Sequence, residues 1–251
     1  RRMLLTGKAF TEGARARALW TGLQADLKHR HPDEEVRTAA DDVLQLMTPV
    51  IKAYYTDMGV EVASDAVQVY GGHGYIKEHG MEQFLRDARI APIYEGTNGI
   101  QALDLVGRKL AMNGGRAVQT FFKDVESFIK DSEGDENIAP QIKQLSNALQ
   151  QLQSATMWLM QNGMQNPDNA GAVSTDYLRL LALVAMAWKW AEMMKVCHEL
   201  IAAGEGHKEA LEAKLITGRF FFDKMLPETN MLIARVETGS ESMMALDAAA
   251  F

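Results

Sequence analysis

Apolar residues recur at three- and four-residue spacing along most of this chain, which is the period of an amphipathic helix. The first long run spans residues 3–28, where Phe10, Ala14 and Ala18 fall on one face. Few stretches alternate apolar and polar residues in the way that half-buried strands do. The pattern therefore predicts an all-α protein.

Breaks rich in Gly, Pro and Asn divide the chain into helices and then into domains. Pro32 ends the first helix and Asp33 can cap the second. The four long helices before Asn113-Gly114-Gly115, which exclude a short one at 81–90, predict a four-helix bundle at 1–113, and the helices after it predict an additional helical domain at 114–251. The helices are expected at 3–28, 34–58, 60–70, 81–90, 97–112, 117–130, 141–161, 176–203, 208–225, 228–239 and 241–249.

Three consecutive phenylalanines, Phe220 to Phe222, lie in one of the predicted tail helices. Side chains that follow one another directly point in different directions around a helix, so a single neighbouring helix cannot cover all three. We therefore expect a subunit interface near Phe221.

Composition and charge limit the class of protein. The formal net charge of −7 argues against an extended nucleic-acid surface, which is normally basic. The single cysteine, Cys197, excludes an internal disulfide framework and fits a reducing cytoplasm. No continuous apolar run approaches the roughly 20 residues of a membrane span. We expect a cytoplasmic protein without a membrane span.

Glycines concentrate at the start of the stretch 68–101. The run Gly71-Gly72-His73-Gly74 lacks three Cβ atoms in four positions, so its backbone amides can approach a phosphate or another anion closely. A tight turn between helices is the commoner use of such a run. His73 and His79 have no nearby Cys, Asp or Glu at ligand spacing, so we expect no metal site.

The end of the same stretch carries one carboxylate. Glu95 follows the apolar pair Ile93-Tyr94, and Thr97 or Asn98 can cap the helix that comes next. Apolar neighbours would raise the pKa of Glu95 and suit it to act as a general base. The alternative is an ordinary solvated residue near a helix start.

Three motifs in this stretch resemble those of the C-terminal helical domain of the acyl-CoA dehydrogenases. Gln68 to Tyr75 matches Q-x-x-G-G-x-G-[FY], Arg86 to Ala88 matches R-D-A, and Ile93 to Gln101 matches I-Y-E-G-T-x-x-I-Q. Their order and spacing match as well, and the long tail is similar to that of the subgroup acting on methylthiopropionyl-CoA and related acyl-CoAs. The resemblance implies FAD-dependent α,β-dehydrogenation of an acyl-CoA, an electron-transfer flavoprotein as acceptor, and a homodimer or a dimer of dimers.

The resemblance also implies a role for each matched residue. Glu95 is the base that removes the α-proton of the thioester while the β-hydride passes to N5 of FAD, and its backbone N–H supports the thioester carbonyl. Tyr94 and Gly96 contact the substrate. The cofactor-binding residues are Gln68, Val69, Tyr70, Gly71, Gly72, Thr97, Asn98 and Gly99, of which the first five reach the FAD of the neighbouring subunit.

Some features depart from the family pattern. Gly99 stands where several members carry Gln, which leaves only backbone contact, and Gly107 aligns with an arginine that some members place near the substrate. The chain opens without methionine and has no counterpart of the family's N-terminal and middle domains, so we expect a C-terminal fragment that is inactive alone. Two alternatives remain: an acyl-CoA oxidase, and a helical assembly module that kept the fold and lost the chemistry.

Overall fold

Helices make up nearly all of the computed structural model, which describes residues 1–250 and has no β-strand in that range. The all-α prediction is confirmed. Short 3₁₀ and π turns connect or extend several helices. The α-helices are α1 (Arg2–Arg30), α2 (Glu34–Val69), α3 (Gly72–Tyr75), α4 (Met81–Ile90), α5 (Asn98–Asp104), α6 (Arg116–Asp131), α7 (Ala139–Asn162), α8 (Pro167–Ala203), α9 (Lys208–Phe220), α10 (Thr229–Glu237) and α11 (Glu241–Met244).

The bundle is built on a long helical hairpin of α1 and α2. Lys28 forms an ion pair with Asp41 at 2.7 Å, and the rings of Phe10 and Tyr54 lie 6.1 Å apart, so the two helices run antiparallel. Two separate helices were predicted where α2 is continuous over 36 residues. A helical glycine such as Gly59 costs only about 1 kcal/mol, which packing along the hairpin can offset.

The helix α8 lies at the centre of the molecule, against α1, α2, α5, α7, α9 and α10. It starts nine residues earlier than predicted, because the Asn166 side chain accepts a hydrogen bond from the Asp168 amide at 3.0 Å and Pro167 occupies the first turn. Among the described helices, α8 has the length and composition to cross a membrane, but 67% of its most apolar window is buried inside the protein. That burial favours a core helix.

Trp190 joins the bundle to the tail at the middle of α8. Its ring is fully buried, its indole N–H donates to the Ala9 carbonyl at 3.2 Å, and it stacks on Phe221. Glycines allow the close approach, since a Cβ on Gly13 of α1 would lie 2.5 Å from the indole nitrogen and one on Gly218 of α9 would lie 3.1 Å from the ring. The buried apolar side chains of both halves consequently form one continuous core.

Two of the three consecutive phenylalanines are buried by the chain itself, and Phe220 is partly buried. Phe221 and Phe222 are both 0% exposed, and they begin a π-helical turn, Phe221–Met225, that continues α9. This turn and the surrounding helices bury both rings, so these two side chains need no second subunit to cover them, and the subunit interface near Phe221 stays a prediction. The sequence pattern predicted a regular α-helix through Phe221–Met225, where the structure has the π-helical turn.

The predicted domain boundary coincides with a break in the backbone. Asn113 and Gly114 have φ values of 54° and 67°, in the left-handed region, and separate the end of the bundle from α6. The bounds 1–113 and 114–251 stay a prediction.

A pair of buried cations lies where α1, α6 and α8 meet. The Arg17 side chain is 1% exposed, none of its three nitrogens has a hydrogen-bond partner, and its guanidinium lies 4.1 Å from the Trp20 ring centroid. Lys189 is paired with Glu192 at 2.7 Å and lies 3.7 Å from the Trp188 ring centroid. Burial lowers the pKa of Arg17 to about 10 and that of Lys189 to about 8.

We predict that the free energy of unfolding carries a pH signature of Lys189. Its pKa in the folded protein, about 8, lies below the ordinary lysine value of 10.5, so between these pH values the unfolded chain binds a proton that the folded chain lacks. This contribution to stability therefore rises with pH across that window. Lys189→Met removes this titrating group. Urea unfolding should therefore show that the free energy of unfolding of Lys189→Met, minus that of wild type, falls by on the order of 2 kcal/mol between pH 7 and pH 10.

Lys208→Met removes an exposed lysine from α9 and serves as the control for this comparison. Taking the difference between variant and wild type cancels other groups that titrate in the same window, such as Cys197, whose pKa is raised by burial. An equal effect of Lys189→Met at both pH values would contradict the prediction.

Candidate functional site

The turn between α4 and α5 has an unusual backbone at Glu95. Its φ is 58°, in the left-handed region that side chains other than glycine avoid, and Gly96 follows with a φ of 78°. The Gln101 side chain holds this turn, since its Nε2 donates to the carbonyl oxygens of Glu95 at 3.1 Å and Gly96 at 3.4 Å. A left-handed non-glycine residue costs on the order of 1 kcal/mol, and such strained residues cluster at active sites and ligand-binding turns.

The Asn98 side chain connects the same turn to α2 by hydrogen bonds. Its Nδ2 donates to the Ala53 carbonyl at 3.0 Å, to Thr56 Oγ1 at 2.9 Å and to Asp57 Oδ1 at 2.6 Å. Its Oδ1 accepts from Lys52 Nζ at 2.8 Å. These bonds connect residues 41 to 46 positions apart in sequence, so the position of Glu95 depends on α2.

We predict that Asn98→Ala loosens this turn. The substitution removes the amide from all four partners and leaves Asp57 and Lys52, both partly buried, with fewer hydrogen bonds, which should cost about 1–3 kcal/mol. Amide hydrogen exchange should then speed up at position 98 and at Gln101, whose N–H groups in the wild type donate to the carbonyls of Pro92 and Thr97 at 3.0 Å.

Asn137→Ala is the control, because Asn137 makes only local hydrogen bonds to Asp135 in an exposed loop. Unchanged exchange at residues 93–101 in Asn98→Ala would show that the turn is held by other contacts.

The surroundings of Glu95 differ from expectation. Its side chain is exposed, and its apolar neighbours Ile93 and Tyr94 are themselves 47% and 54% exposed. The predicted apolar enclosure of Glu95 is thus not formed by this chain. The predicted side-chain cap is also absent: Thr97 occupies the N-cap position of α5 without a side-chain hydrogen bond, and Asn98 turns toward α2 instead.

The glycine-rich candidate segment lies at the far end of α2. Gln68 and Val69 end that helix, Tyr70 and Gly71 form the turn, and Gly72 begins α3; all five are exposed. Asp57, which holds the Glu95 turn, precedes Gln68 by 11 residues on the same helix, a distance of roughly 16 Å. The two candidate segments therefore lie apart on one surface.

The third glycine of the run has a structural role. Gly74 is buried, and a Cβ there would collide with the Val67 carbonyl oxygen. Its amide donates to the Gly71 carbonyl at 3.0 Å, so this N–H is not available to an anion. His73 and His79 lie nearby with ring centroids 4.9 Å apart, and residues 1–250 contain no group of three His, Cys, Asp or Glu arranged to hold a metal.

Exposed apolar side chains surround both candidate segments. They come from the end of α2, from α3 and α4, and from the start of α5, and none of the residues of α4 is buried. Monomeric surfaces rarely expose so many large apolar residues together, and such patches usually mark a contact with another surface. The exposed residues are Val69, Tyr70, Tyr75, Ile76, Phe84, Ile90, Ile93, Tyr94, Ile100 and Leu103.

A cleft of about 520 Å³ lies beside the Glu95 turn. One wall is the turn itself, with Thr97, Asn98 and Gly99, and another is α2, with Asp57 and Glu61. Arg179 of α8 completes it, so the tail reaches the edge of the candidate site.

Two family models cover most of the chain. The model described as "Acyl-CoA dehydrogenase, C-terminal domain" matches residues 14–126, and the one described as "Acetyl-CoA dehydrogenase C-terminal like" matches residues 121–247, just over half of the sequence. The chain belongs to the acyl-CoA dehydrogenase family. The resemblance inferred from the three motifs is thereby confirmed.

Curated acyl-CoA dehydrogenases align along nearly the whole chain. The 3-methylmercaptopropionyl-CoA dehydrogenase of Ruegeria pomeroyi is 37% identical over 97% of this chain and 41% of its own length. The broad-specificity linear acyl-CoA dehydrogenase FadE5 of Mycobacterium tuberculosis is 29% identical over 100% of this chain and 43% of its own length. The chain thus spans about two fifths of the length of these relatives.

Solved structures of acyl-CoA dehydrogenases share this fold. A Bacillus anthracis acyl-CoA dehydrogenase complexed with FAD superposes with a TM-score of 0.72 at 20% identity, over 94% of this chain and 41% of that one. Caenorhabditis elegans ACDH-11 in complex with C11-CoA gives 0.70 at 20% identity, over 87% of this chain and 35% of that one. At this identity the likeness establishes the fold alone.

The acyl-CoA dehydrogenase motifs identified Glu95 but not the residues that hold it. Gln101 closes the I-Y-E-G-T-x-x-I-Q motif, and its position there was the only signal of its part in the turn. Lys52, Thr56 and Asp57 carry no motif. Their role follows only from the way α2 packs against α5.

Proposed function

We propose that this chain is the C-terminal part of an FAD-dependent acyl-CoA dehydrogenase in which Glu95 is the catalytic base. The observation that carries the proposal is the left-handed Glu95 in an exposed turn, held from both sides by Gln101 and Asn98. The left-handed region is costly for a glutamate, whereas asparagine, as at Asn113, tolerates it, so its occurrence at Glu95 supports a functional role for the turn. Membership of the acyl-CoA dehydrogenase family supports the same role.

In this proposal Glu95 removes the α-proton of an acyl-CoA thioester. A general base must come within hydrogen-bonding distance of the proton that it takes, and an exposed carboxylate on a fixed turn can be presented to a substrate held by the rest of the protein. Enclosure of Glu95 by the bound substrate and the remaining domains would raise its pKa by desolvation. The Glu95 N–H would donate to the thioester carbonyl and stabilise the enolate that develops there.

The residues proposed to hold FAD fit a large ligand that approaches bare backbone. A Cβ added to Gly72 or Gly99 would meet nothing within 4 Å, and neither residue needs a left-handed φ, so this chain's own packing does not explain either glycine. The holding segments are Gln68 to Gly72 and Thr97 to Gly99, with Asn98 contributing backbone because its side chain is engaged with α2. FAD, when bound, supplies the acceptor for the β-hydride.

Tyr94 and Gly96 are proposed to line the acyl site next to Glu95. A Cβ on Gly96 would lie 2.9 Å from Gln101 Nε2. Glycine at this position therefore preserves the hydrogen bonds from Gln101 to the turn as well as access for the substrate. The exposed apolar surface around the site would be covered by the remaining domains and a second protomer. A homodimer or a dimer of dimers, an electron-transfer flavoprotein as acceptor and a cytoplasmic location stay predictions.

The test is product identification with the full-length protein and a panel of acyl-CoAs that includes methylthiopropionyl-CoA. We expect the protein to purify with flavin and to convert one or more substrates to the enoyl-CoA, lighter by two hydrogen atoms in mass spectrometry, when an electron-transfer flavoprotein is present. Turnover with oxygen alone and formation of hydrogen peroxide would indicate an oxidase. A protein without flavin or product would be the assembly module, and the proposal would fail.

A further inference from the structure

Arg179 of the tail is bound to the bundle as well as to its own domain. Its guanidinium makes two hydrogen bonds to the Glu228 carboxylate, at 2.5 and 3.2 Å, which link α8 to the turn before α10. The same side chain reaches α2, where Nη1 lies 3.3 Å from Glu61 Oε1 and Nη2 lies 3.9 Å from Met58 Sδ. The guanidinium carbon is 5.4 Å from the centroid of the Tyr54 ring.

These contacts fall on the part of α2 that holds the Glu95 turn. Tyr54, Met58 and Glu61 recur at four- and three-residue spacing and so lie on one face of the helix. Ala53 and Asp57, which accept hydrogen bonds from Asn98, are interleaved with them in sequence. Arg179 and Asn98 therefore contact the same two turns of α2 and line the same cleft.

We propose that Arg179 is a positioning residue through which the tail domain fixes the Glu95 turn. Glu228 of the tail binds the Arg179 side chain, and Arg179 contacts α2. The helix α2 in turn binds Asn98 at the start of α5 by hydrogen bonds. The inference rests on the proposed function, because it assigns to the tail a part in the chemistry of Glu95. The expected consequence of removing Arg179 is a looser turn with the fold retained.

The chemistry of arginine suits this role. Its planar fork binds a carboxylate at two points while the remaining nitrogen reaches a second partner, which the single ammonium of lysine cannot reproduce. The side chain is only 25% exposed. Burial alone would lower its pKa, but the hydrogen bonds to Glu228 and the electrostatic attraction of Tyr54, Glu228 and Glu61 together outweigh burial, so the pKa is raised and the cation persists.

The chain offers a matched control. Arg235 of α10 pairs with Asp176 of α8 at 3.5 Å, so it also joins α8 to α10, and within the described residues its side chain forms no hydrogen bond or ion pair with α2. The experiment compares Arg179→Gln with Arg235→Gln in the full-length protein, with Asn98→Ala as the positive control. The first readout is amide hydrogen exchange at residues 93–101, which needs no enzymatic activity; the second is kcat and KM for the acyl-CoA.

We expect Arg179→Gln to speed exchange at Asn98 and Gln101 by about fivefold or more and to lower kcat to a similar extent with little change in KM. Arg235→Gln should change neither. If Arg179→Gln does not fold, Glu61→Gln is the second variant, since it removes one α2 contact at a half-exposed position, and a smaller change in the same direction is expected.

Equal exchange in wild type and Arg179→Gln, or equal acceleration by Arg179→Gln and Arg235→Gln, would overturn the proposal. A full-length protein without dehydrogenase activity would overturn the proposed function, and the exchange comparison would still decide whether Arg179 positions the turn.

Discussion

Glu95→Gln should lower the kcat of the full-length protein on its acyl-CoA substrate by about 10²- to 10⁴-fold, the range that general-base catalysis contributes. Glutamine keeps the size of the side chain and cannot accept the α-proton. The backbone of the turn should be unchanged, because Gln101 and Asn98 bind through groups that the substitution leaves in place. Steady-state kinetics with an artificial electron acceptor measure the effect, and flavin content and KM should stay close to those of wild type.

Glu78→Gln is the matched control, because Glu78 is an exposed glutamate in the 3₁₀ turn Lys77–His79 and has no assigned role. It should leave kcat within about twofold of wild type. Retention of full kcat by Glu95→Gln would place the base elsewhere in the protein and remove the main support for the proposed mechanism.

Trp190→Ala should have the largest effect on stability, lowering the free energy of unfolding by about 3–5 kcal/mol. The indole is 0% exposed, fills the space between Gly13 and Gly218, and stacks on Phe221. Its removal leaves a cavity between three helices and deprives the Ala9 carbonyl of the indole hydrogen bond. Urea unfolding followed by circular dichroism measures the loss.

The control is Leu19→Ala, at a position 70% exposed on α1, where the change should stay within about 0.5 kcal/mol. Because the bundle and the tail share one core, the tail and bundle should lose stability together in Trp190→Ala. Two separate unfolding transitions, with only the tail destabilised, would contradict the shared core.

The spacing of apolar residues predicted the presence of the helices more accurately than it predicted where each helix begins and ends. It split α2 at Gly59, because a glycine costs helix stability locally and the packing that offsets this cost comes from α1. It also started α8 too late, although Asn166 and Pro167 are a recognisable helix start. The sequence pattern also did not predict the π turn that begins at Phe221, in which distant helices bury Phe221 and Phe222 inside the chain.

The candidate site divides into a part visible in sequence and a part that only folding assembles. Glu95 and its neighbours stand in a contiguous motif, so spacing along the chain identifies them. The partners of Asn98 lie more than 40 residues away on α2 and Arg179 comes from the tail, so no local pattern links them to Glu95. The left-handed φ of Glu95 is likewise set by the turn as a whole, because side-chain type alone disfavours it.

The most direct test of the central claim is flavin absorbance during a single anaerobic turnover of the full-length protein, with wild type and Glu95→Gln mixed with the same acyl-CoA. The account predicts rapid bleaching of the flavin in wild type and bleaching at least 100-fold slower in Glu95→Gln, at equal flavin content and substrate affinity. Bleaching at the same rate in both proteins would show that Glu95 does not remove the α-proton.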